Sequence, residues 1–347
     1  MAWDRQRKGA LHGSEPVTCS IEARSDVLGA TFCNSSVEGL FRPGAVPSRS
    51  AAQRRSLLSP GLVTNDFRRQ RCPACGDPAI AEVGKVHAAH DVEYSTHAIV
   101  LERVPEIWAC RACGSWFTQN AVPPETSQSL YSSGSSGARW VAEPFEKAKD
   151  PALLAEFDRH ITRAARVLDI GCSAGQLLDY AKARGAETCG MDYSAACGDT
   201  IKRKGHRFAT ALSEFDGERF DVVTAFDVIE HVYDLPRFFV GVAHLLEPGG
   251  KFIVLTGDIG SLGARICGSR WWYLRYPEHI VFPSRRFFGS QPAGLRLERT
   301  VRTYASVGYR VPFLHALRIA AALAMRGNYD GLPALGPDHL LMVLRRD

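Results

Sequence analysis

The sequence predicts an α/β chain in which a mostly parallel sheet, with helices on both faces, follows a small cysteine-paired module and a disordered tail. Three observations predict it. From Pro151 onward short apolar runs alternate with helical ones; two Cys-x-x-Cys-Gly knuckles stand upstream, at Cys72-Pro-Ala-Cys75-Gly and Cys110-Arg-Ala-Cys113-Gly; and residues 1–70 keep neither a helical nor a strand period. Short apolar strands separated by helices need cover on both faces, which is the signature of a parallel sheet.

The tail comes first. Residues 1–70 are rich in Ser, Arg, Gly and Pro, and such a segment cannot bury enough surface to offset its ordering entropy. It also holds the chain's excess charge: residues 1–71 carry 11 Lys and Arg against 6 Asp and Glu, while the remainder balances at 31 of each. A body without a basic field of its own disfavours a nucleic-acid partner. No apolar run reaches the roughly 18 residues that a membrane helix needs, and no apolar segment follows the charged N-terminus. The expectation is a cytoplasmic protein with no membrane association and ten cysteines serving as thiols and metal ligands.

Residues 71–120 form the module. Four thiolates delivered in two pairs suit tetrahedral zinc, and Cys72, Cys75, Cys110 and Cys113 leave no open coordination position, so the site is structural. The glycine after each second cysteine lets the backbone turn its amides toward the sulfurs. His87, His90 and His97 lie between the knuckles as alternative ligands or solvated loop residues. Residues 121–150, with Pro123, Pro124, Gly134 and Gly137, read as a linker.

Residues 151–347 make up the large domain. A helix over 152–164 leads to a strand over 166–170, a helix over 175–183 and a strand over 187–191. Strands near Phe208 and over 220–226, a helix over 235–246 and a strand over 251–256 follow. The last strand, 339–344, is expected at one edge of the sheet. An apolar helix over 316–325 covers a site, forms a dimer face or packs in the core.

The first strand ends in Val167-Leu-Asp-Ile-Gly-Cys-Ser-Ala-Gly175, an acidic residue followed by a turn of small residues into a helix. Gly171, Ser173 and Gly175 allow a ligand to approach the backbone at the carboxyl end of the strand. Asp192 ends the second strand, 21 residues beyond Gly171, where a carboxylate can accept both hydroxyls of a ribose. An adenosine-containing cofactor is implied. The pyrophosphate fingerprint is broken, because Ser173 and Gln176 stand where it needs glycines.

The segments VLDIGCSAGQLL (167–178), GMDYS (190–194), RFDVVTAFDVIEHV (219–232) and LLEPGGKFIVLTG (245–257) together resemble class I S-adenosylmethionine-dependent methyltransferases. CPACG and CRACGSWF are similar to the zinc-knuckle segment of one subgroup, linked to sugar, lipid and secondary-metabolite modification. The resemblance spans about residues 72–299 and implies a Rossmann-like, seven-stranded, mostly parallel sheet. It also implies that Gly171, Ser173 and Gly175 line the methionine part of the cofactor and that Asp169 orients its amino group. Asp192 would then hold the ribose, Tyr193 border the adenine, Leu212 and Ser213 contact it, and Phe226 sit near the sulfonium.

Methyl transfer to a hydroxyl needs the nucleophile in line with the methyl and a group to take its proton. Asp227-Val-Ile-Glu230-His231 begins where the fourth strand ends, and on a turn its three polar residues project to one side. His231 is the candidate base, with Glu230 orienting it. The D-x-x-E-H pattern also resembles the divalent-metal site of ubiquinone-pathway O-methyltransferases and small-RNA terminal methyltransferases, with His279 as a further ligand; a purely structural cap is the third reading. Trp271-Trp272-Tyr273 and Tyr276-Pro277-Glu278-His279 read as an acceptor wall or a packed insertion.

The resulting expectation is a methyltransferase acting on a hydroxyl, or less readily a carbon, of a small-molecule acceptor such as a sugar, glycan precursor or secondary metabolite. The alternatives are an RNA methyltransferase that uses the zinc module as its grip, and an inactive S-adenosylmethionine-binding protein. Oligomeric state is not legible from the sequence.

Overall fold

The computed structural model describes residues 61–86, 91–134, 144–304, 320 and 336–347. The tail up to residue 60, His87, His90 and the helix expected over 316–325, apart from residue 320, lie outside the described residues. In chain order the first elements are β1 (Gly61–Val63), β2 (Ile80–Lys85), β3 (Asp91–Tyr94), β4 (His97–Leu101), β5 (Glu106–Cys110), β6 (Trp116–Gln119), α1 (Pro124–Ser133), α2 (Phe145–Ala148) and α3 (Pro151–Asp158). Then come β7 (Arg166–Ile170), α4 (Gln176–Lys182), β8 (Glu187–Met191), α5 (Gly198–Arg203), β9 (Arg207–Ala209), β10 (Phe220–Phe226) and α6 (Leu235–Leu245). The chain ends with β11 (Leu246–Gly257), α7 (Leu262–Cys267), β12 (Val281–Phe282), α8 (Arg285–Gly289), β13 (Leu295–Thr303) and β14 (His339–Arg346).

Seven strands form the main sheet in the order β13-β14-β11-β10-β7-β8-β9. The five from β7 to β11 run parallel; β14 alone is reversed, pairing antiparallel with both β11 and β13, so that β13 runs in the same direction as the five. Alternate residues serve opposite faces. Leu168, Ile170, Val223 and Ala225 join one apolar cluster, while Val167 and Val222 join another. Two covered faces explain why β7 and β10 are almost continuously apolar.

Helices seal these faces through local signals. Asp150 caps α3 by accepting from Ala152 N at 2.9 Å, with Pro151 at the first helical position, and Leu153 and Phe157 point into the core. The helix stops at Asp158, short of the expected residue 164. The chain turns there and takes Ala164 into the left-handed region (φ 64°), with its N–H donating to Gly185 O. Asp234 caps α6, whose Leu235, Phe239, Val242 and Leu245 form one buried stripe.

β14 departs from expectation. It lies between β11 and β13 rather than at an edge, because Leu340–Leu344 are buried on both sides; β13, which alternates charged with apolar residues, is the edge. The segment read as a linker contains α1, begun by Pro123 and Pro124, and α2.

Two smaller sheets adjoin the main one. β1-β4-β3 is the first, and β12-β6-β5-β2 the second. β12 comes from the connection after β11, so the cysteine-bearing sheet is completed by a strand contributed from the large domain.

Candidate active site

The turn after β7 is shaped by its backbone. Gly171 (φ 75°), Ser173 (φ 48°) and Gly175 (φ 77°) all adopt left-handed conformations before α4 begins. A Cβ on Gly171 would come within 2.4 Å of Val228, and one on Gly175 within 2.6 Å of Ile201, so both positions demand glycine by conformation and by contact. Gly171 N and Cys172 N both donate to Met191 O, at 2.7 and 3.1 Å, tying the turn to the end of β8.

Asp192 stands just past β8 and braces the same turn. Its Oδ2 accepts from Ser173 N at 3.0 Å and its Oδ1 from Ser194 N at 2.9 Å. Desolvation raises its carboxyl above the ordinary range, while these two N–H donors pull it back. The Ser173 hydroxyl is buried without a partner. An orphaned hydroxyl, a paired carboxylate and three left-handed residues at the carboxyl end of parallel strands fit an adenosine-bearing ligand.

Asp169 lies one layer deeper. It is buried, accepts from Thr224 Oγ1 at 2.7 Å, and its carboxyl is pushed up to about 7 by desolvation. Tyr193 is exposed beside Asp192, and Leu212 and Ser213 open the turn after β9, Leu212 half-buried and Ser213 exposed. Phe226 closes β10, with its ring stacked on Phe145 at 6.1 Å.

The Asp227–His231 segment is split by the fold. Glu230, His231 and His279 come together, each offering a ligand atom within 4.8 Å of the others. Asp227, at φ 54°, instead faces Lys149 (3.8 Å) and His339 (3.6 Å), and the Asp338 carboxylate holds the other side of the His339 ring at 2.8 Å. Glu230 does not orient His231 by a direct hydrogen bond. It accepts from Thr256 Oγ1 at 3.1 Å and from the Tyr273 hydroxyl, and burial pushes its carboxyl up to about 8.

His231 is oriented by residues that the sequence did not single out for that role. Its Nδ1 lies 3.0 Å from Glu278 O and 2.8 Å from the hydroxyl of Tyr131, on α1. A carbonyl only accepts, so Nδ1 carries the hydrogen and Nε2 keeps its lone pair. His279 repeats the arrangement, with Nδ1 at 2.8 Å from Tyr273 O. Burial lowers both imidazoles below the usual value, so both are neutral near pH 7. The partners lie about 50 and 100 residues from His231 in sequence, beyond the reach of local patterns. Trp271 and Tyr273 are packed rather than open, and a Cβ on Gly257 would meet the Tyr273 ring at 2.4 Å.

The four cysteines converge. Cys72 Sγ and Cys113 Sγ are 3.7 Å apart, Cys75 Sγ and Cys110 Sγ 3.6 Å, and all four lie within 4.8 Å of one another. A tetrahedron of sulfurs about 2.3 Å from zinc has edges of about 3.8 Å, so the set fits that ion. Gly76 (φ 75°) and Gly114 (φ 73°) close the two knuckles with matching 2.9 Å bonds to Cys72 O and Cys110 O. Ala74 N and Cys113 N point at Cys72 and Cys110 sulfurs. His97 lies elsewhere, bonded to Ser133.

Residues 139–293 match the family model described as a methyltransferase domain. A ubiquinone biosynthesis O-methyltransferase of Bradyrhizobium sp. (strain ORS 278) is 41% identical over 99 residues, 26% of this chain and 39% of the relative. One of the same name from Coxiella burnetii (strain Dugway 5J108-111) is 26% identical over 166 residues, 43% of this chain and 71% of the relative. The chain thus spans about two-fifths of the first of these relatives. A solved 1,6-didemethyltoxoflavin-N1-methyltransferase from Burkholderia thailandensis is 19% identical with a TM-score of 0.44, covering 70% of this chain and 95% of that one; the assignment rests on the sequence matches and not on this likeness. Residues 139–293 are therefore a methyltransferase domain, similar in sequence to ubiquinone biosynthesis O-methyltransferases.

Proposed function

We propose that this protein transfers a methyl group from S-adenosylmethionine to a hydroxyl of a small-molecule acceptor, with His231 as general base. The observation that carries the reading is the pairing of two half-sites at the carboxyl end of one sheet. Asp192 is clamped onto the glycine turn by Ser173 N at 3.0 Å, and a neutral His231 has its Nδ1 hydrogen engaged by Glu278 O.

In this reading Gly171, Ser173 and Gly175 cradle the cofactor, Asp192 accepts its ribose hydroxyls and Asp169 faces its ammonium. Tyr193, Leu212 and Ser213 border the adenine, and Phe226 closes the methyl end. When bound, the cofactor supplies an electrophilic methyl carbon. His231 Nε2 is placed to take the proton of the acceptor hydroxyl, and Glu278 O would stabilise the resulting imidazolium through Nδ1. His279 borders the acceptor. Glu230 braces the wall through Tyr273 and Thr256. Cys72, Cys75, Cys110 and Cys113 hold a structural zinc.

The convergence of Glu230, His231 and His279 favours one second reading, a divalent cation that activates the acceptor oxygen. A Glu230 carboxyl whose two oxygens are already taken by the Thr256 and Tyr273 hydroxyls suits the first reading better. Metal analysis separates them, at about one zinc per chain for the first reading and a second metal equivalent for the other. Incubation with labelled S-adenosylmethionine and sugar or phenolic acceptors tests the transfer. Label in a small molecule that is lost in His231→Gln supports it, and label only in RNA overturns it. The names of these relatives, which specify O-methylation in ubiquinone biosynthesis, support the choice of oxygen.

A further inference from the structure

We propose that the four-thiolate cluster is the clamp that positions the acceptor-side histidines, so that zinc acts on the reaction through the loop carrying Glu278 and His279. This rests on the reading of His231 and His279 as the acceptor edge.

The connection can be followed bond by bond. Cys113 Sγ lies 3.2 Å from Ser115 Oγ, which accepts from Ser284 N at 3.1 Å. Ser284 Oγ returns a hydrogen bond to Cys113 O at 2.5 Å and also caps α8 by accepting from Phe287 N. The cysteine loop therefore fixes Ser284, two residues beyond β12. β12 itself pairs with β6, Val281 opposite Phe117 and Phe282 opposite Trp116.

One step earlier the attachment reaches the histidine. Thr118 N donates to Ile280 O and Thr118 Oγ1 to His279 O, both at 3.0 Å, and Ile280 N donates to Glu230 O at 2.7 Å. Three residues of β6, Trp116, Phe117 and Thr118, thus hold the main chain of His279–Phe282, and that main chain holds Glu230. Ser95 N, from the turn between β3 and β4, accounts for a further bond by donating to Glu278 Oε1 at 2.8 Å. A two-residue strand has little stability of its own, so its place depends on the sheet that receives it.

The cofactor turn has no such dependence. Its bonds run to Met191, Asp192, α4 and Lys204, none of them in the cysteine-bearing sheet. Loss of the clamp should therefore loosen the acceptor edge and leave the cofactor turn in place. Thr118 and Ser284 are positioning residues.

The test uses the full chain, loaded with zinc and then stripped with a strong chelator. Amide exchange at Ile280 should accelerate at least about tenfold on stripping, while Val223 and Val254 change by less than about twofold. In protein labelled with ¹⁵N-histidine, the Nδ1–H signal of His279 should be lost, and S-adenosylmethionine affinity by titration calorimetry should stay within about threefold. Zinc re-addition should restore the signal. Because stripped protein can unfold, Ser284→Ala provides a second route that leaves the cysteines intact. It should reproduce the His279 change at full zinc content, and Ser284→Thr should rescue it. An unchanged His279 signal and unchanged Ile280 exchange in both stripped and Ser284→Ala protein would overturn the clamp. A changed signal with methyl transfer unaltered would uphold the clamp and remove the catalytic reading of the histidines instead.

Discussion

If Asp169 faces the ligand's ammonium as proposed, its buried carboxyl gives S-adenosylmethionine binding a specific pH profile. Desolvation pushes Asp169 up to about 7, but only the carboxylate attracts the ligand's ammonium. Kd should therefore be at its plateau near pH 7.5 and weaken about tenfold at pH 6 and about a hundredfold at pH 5, following the ionised fraction. Above about pH 8 the ligand's own α-amino group loses its proton, so affinity falls again and the profile is a bell. Asp192, which is raised in the same direction, adds to the acid limb. Asp169→Asn should bind more weakly at pH 7.5 with a shallower acid limb, and the Asp169→Asn/Asp192→Asn double variant should have none. Titration calorimetry between pH 5 and 8.5, in buffers of matched ionic strength, reads this directly. A wild-type affinity that is flat from pH 5 to 7.5, or an acid limb unchanged in Asp169→Asn, would refute the reasoning.

Further outcomes follow from the same geometry. In the unliganded protein Asp169 is raised from 3.8 to about 7, so its contribution to stability is complete below about pH 4 and is lost as the pH rises through 7. The total is about 4 kcal/mol, and urea unfolding of Asp169→Asn should lack that part of the wild-type pH dependence. Asp192→Ala leaves Ser173 N and Ser194 N without their acceptor and removes the ribose partner; a loss of about 3 kcal/mol, roughly a hundredfold in Kd, is expected by calorimetry. His231→Gln should lower kcat/KM by about 10²- to 10⁴-fold. The wild-type acid limb of kcat/KM should fall below the usual histidine value, since burial lowers His231. Phe239→Ala, in the fully buried stripe of α6, should cost about 3 to 5 kcal/mol in urea unfolding.

Much of the fold was legible because its signals are local. The runs at 166–170, 187–191 and 220–226 fall on strands with those bounds, since Pro, Gly and charge punctuate each side. β14 was misplaced because a continuous apolar run was given an edge, although only a two-sided environment buries every residue from Leu340 to Leu344. α1 was missed because its Ser-rich sequence has little apolar periodicity and its stability comes from tertiary contacts, among them Tyr94 with Ser127 and Tyr131 with His231.

The candidate site divides in the same way. The glycine turn, Asp192 and both cysteine knuckles are contiguous motifs, and each appears where its spacing implies. Tyr131, Glu278 and the Asp338–His339 pair reach the Asp227–His231 segment from distant parts of the chain. Asp227 was grouped with Glu230 and His231 by helical spacing, but its left-handed backbone and the short turn at Ile229–His231 send it toward Lys149 and His339 instead. β12 has only two residues, too few to show any period, so the sharing of one sheet between module and domain has no sequence signature.

The most direct measurement of the central claim is a crystal structure with S-adenosylhomocysteine. The account predicts the ligand across the turn at 171–175, with both ribose hydroxyls on the Asp192 carboxylate and the sulfur directed toward the edge bearing His231. A ligand bound elsewhere, or a turn occupied by a nucleotide phosphate with Asp192 left on its backbone partners alone, would contradict it.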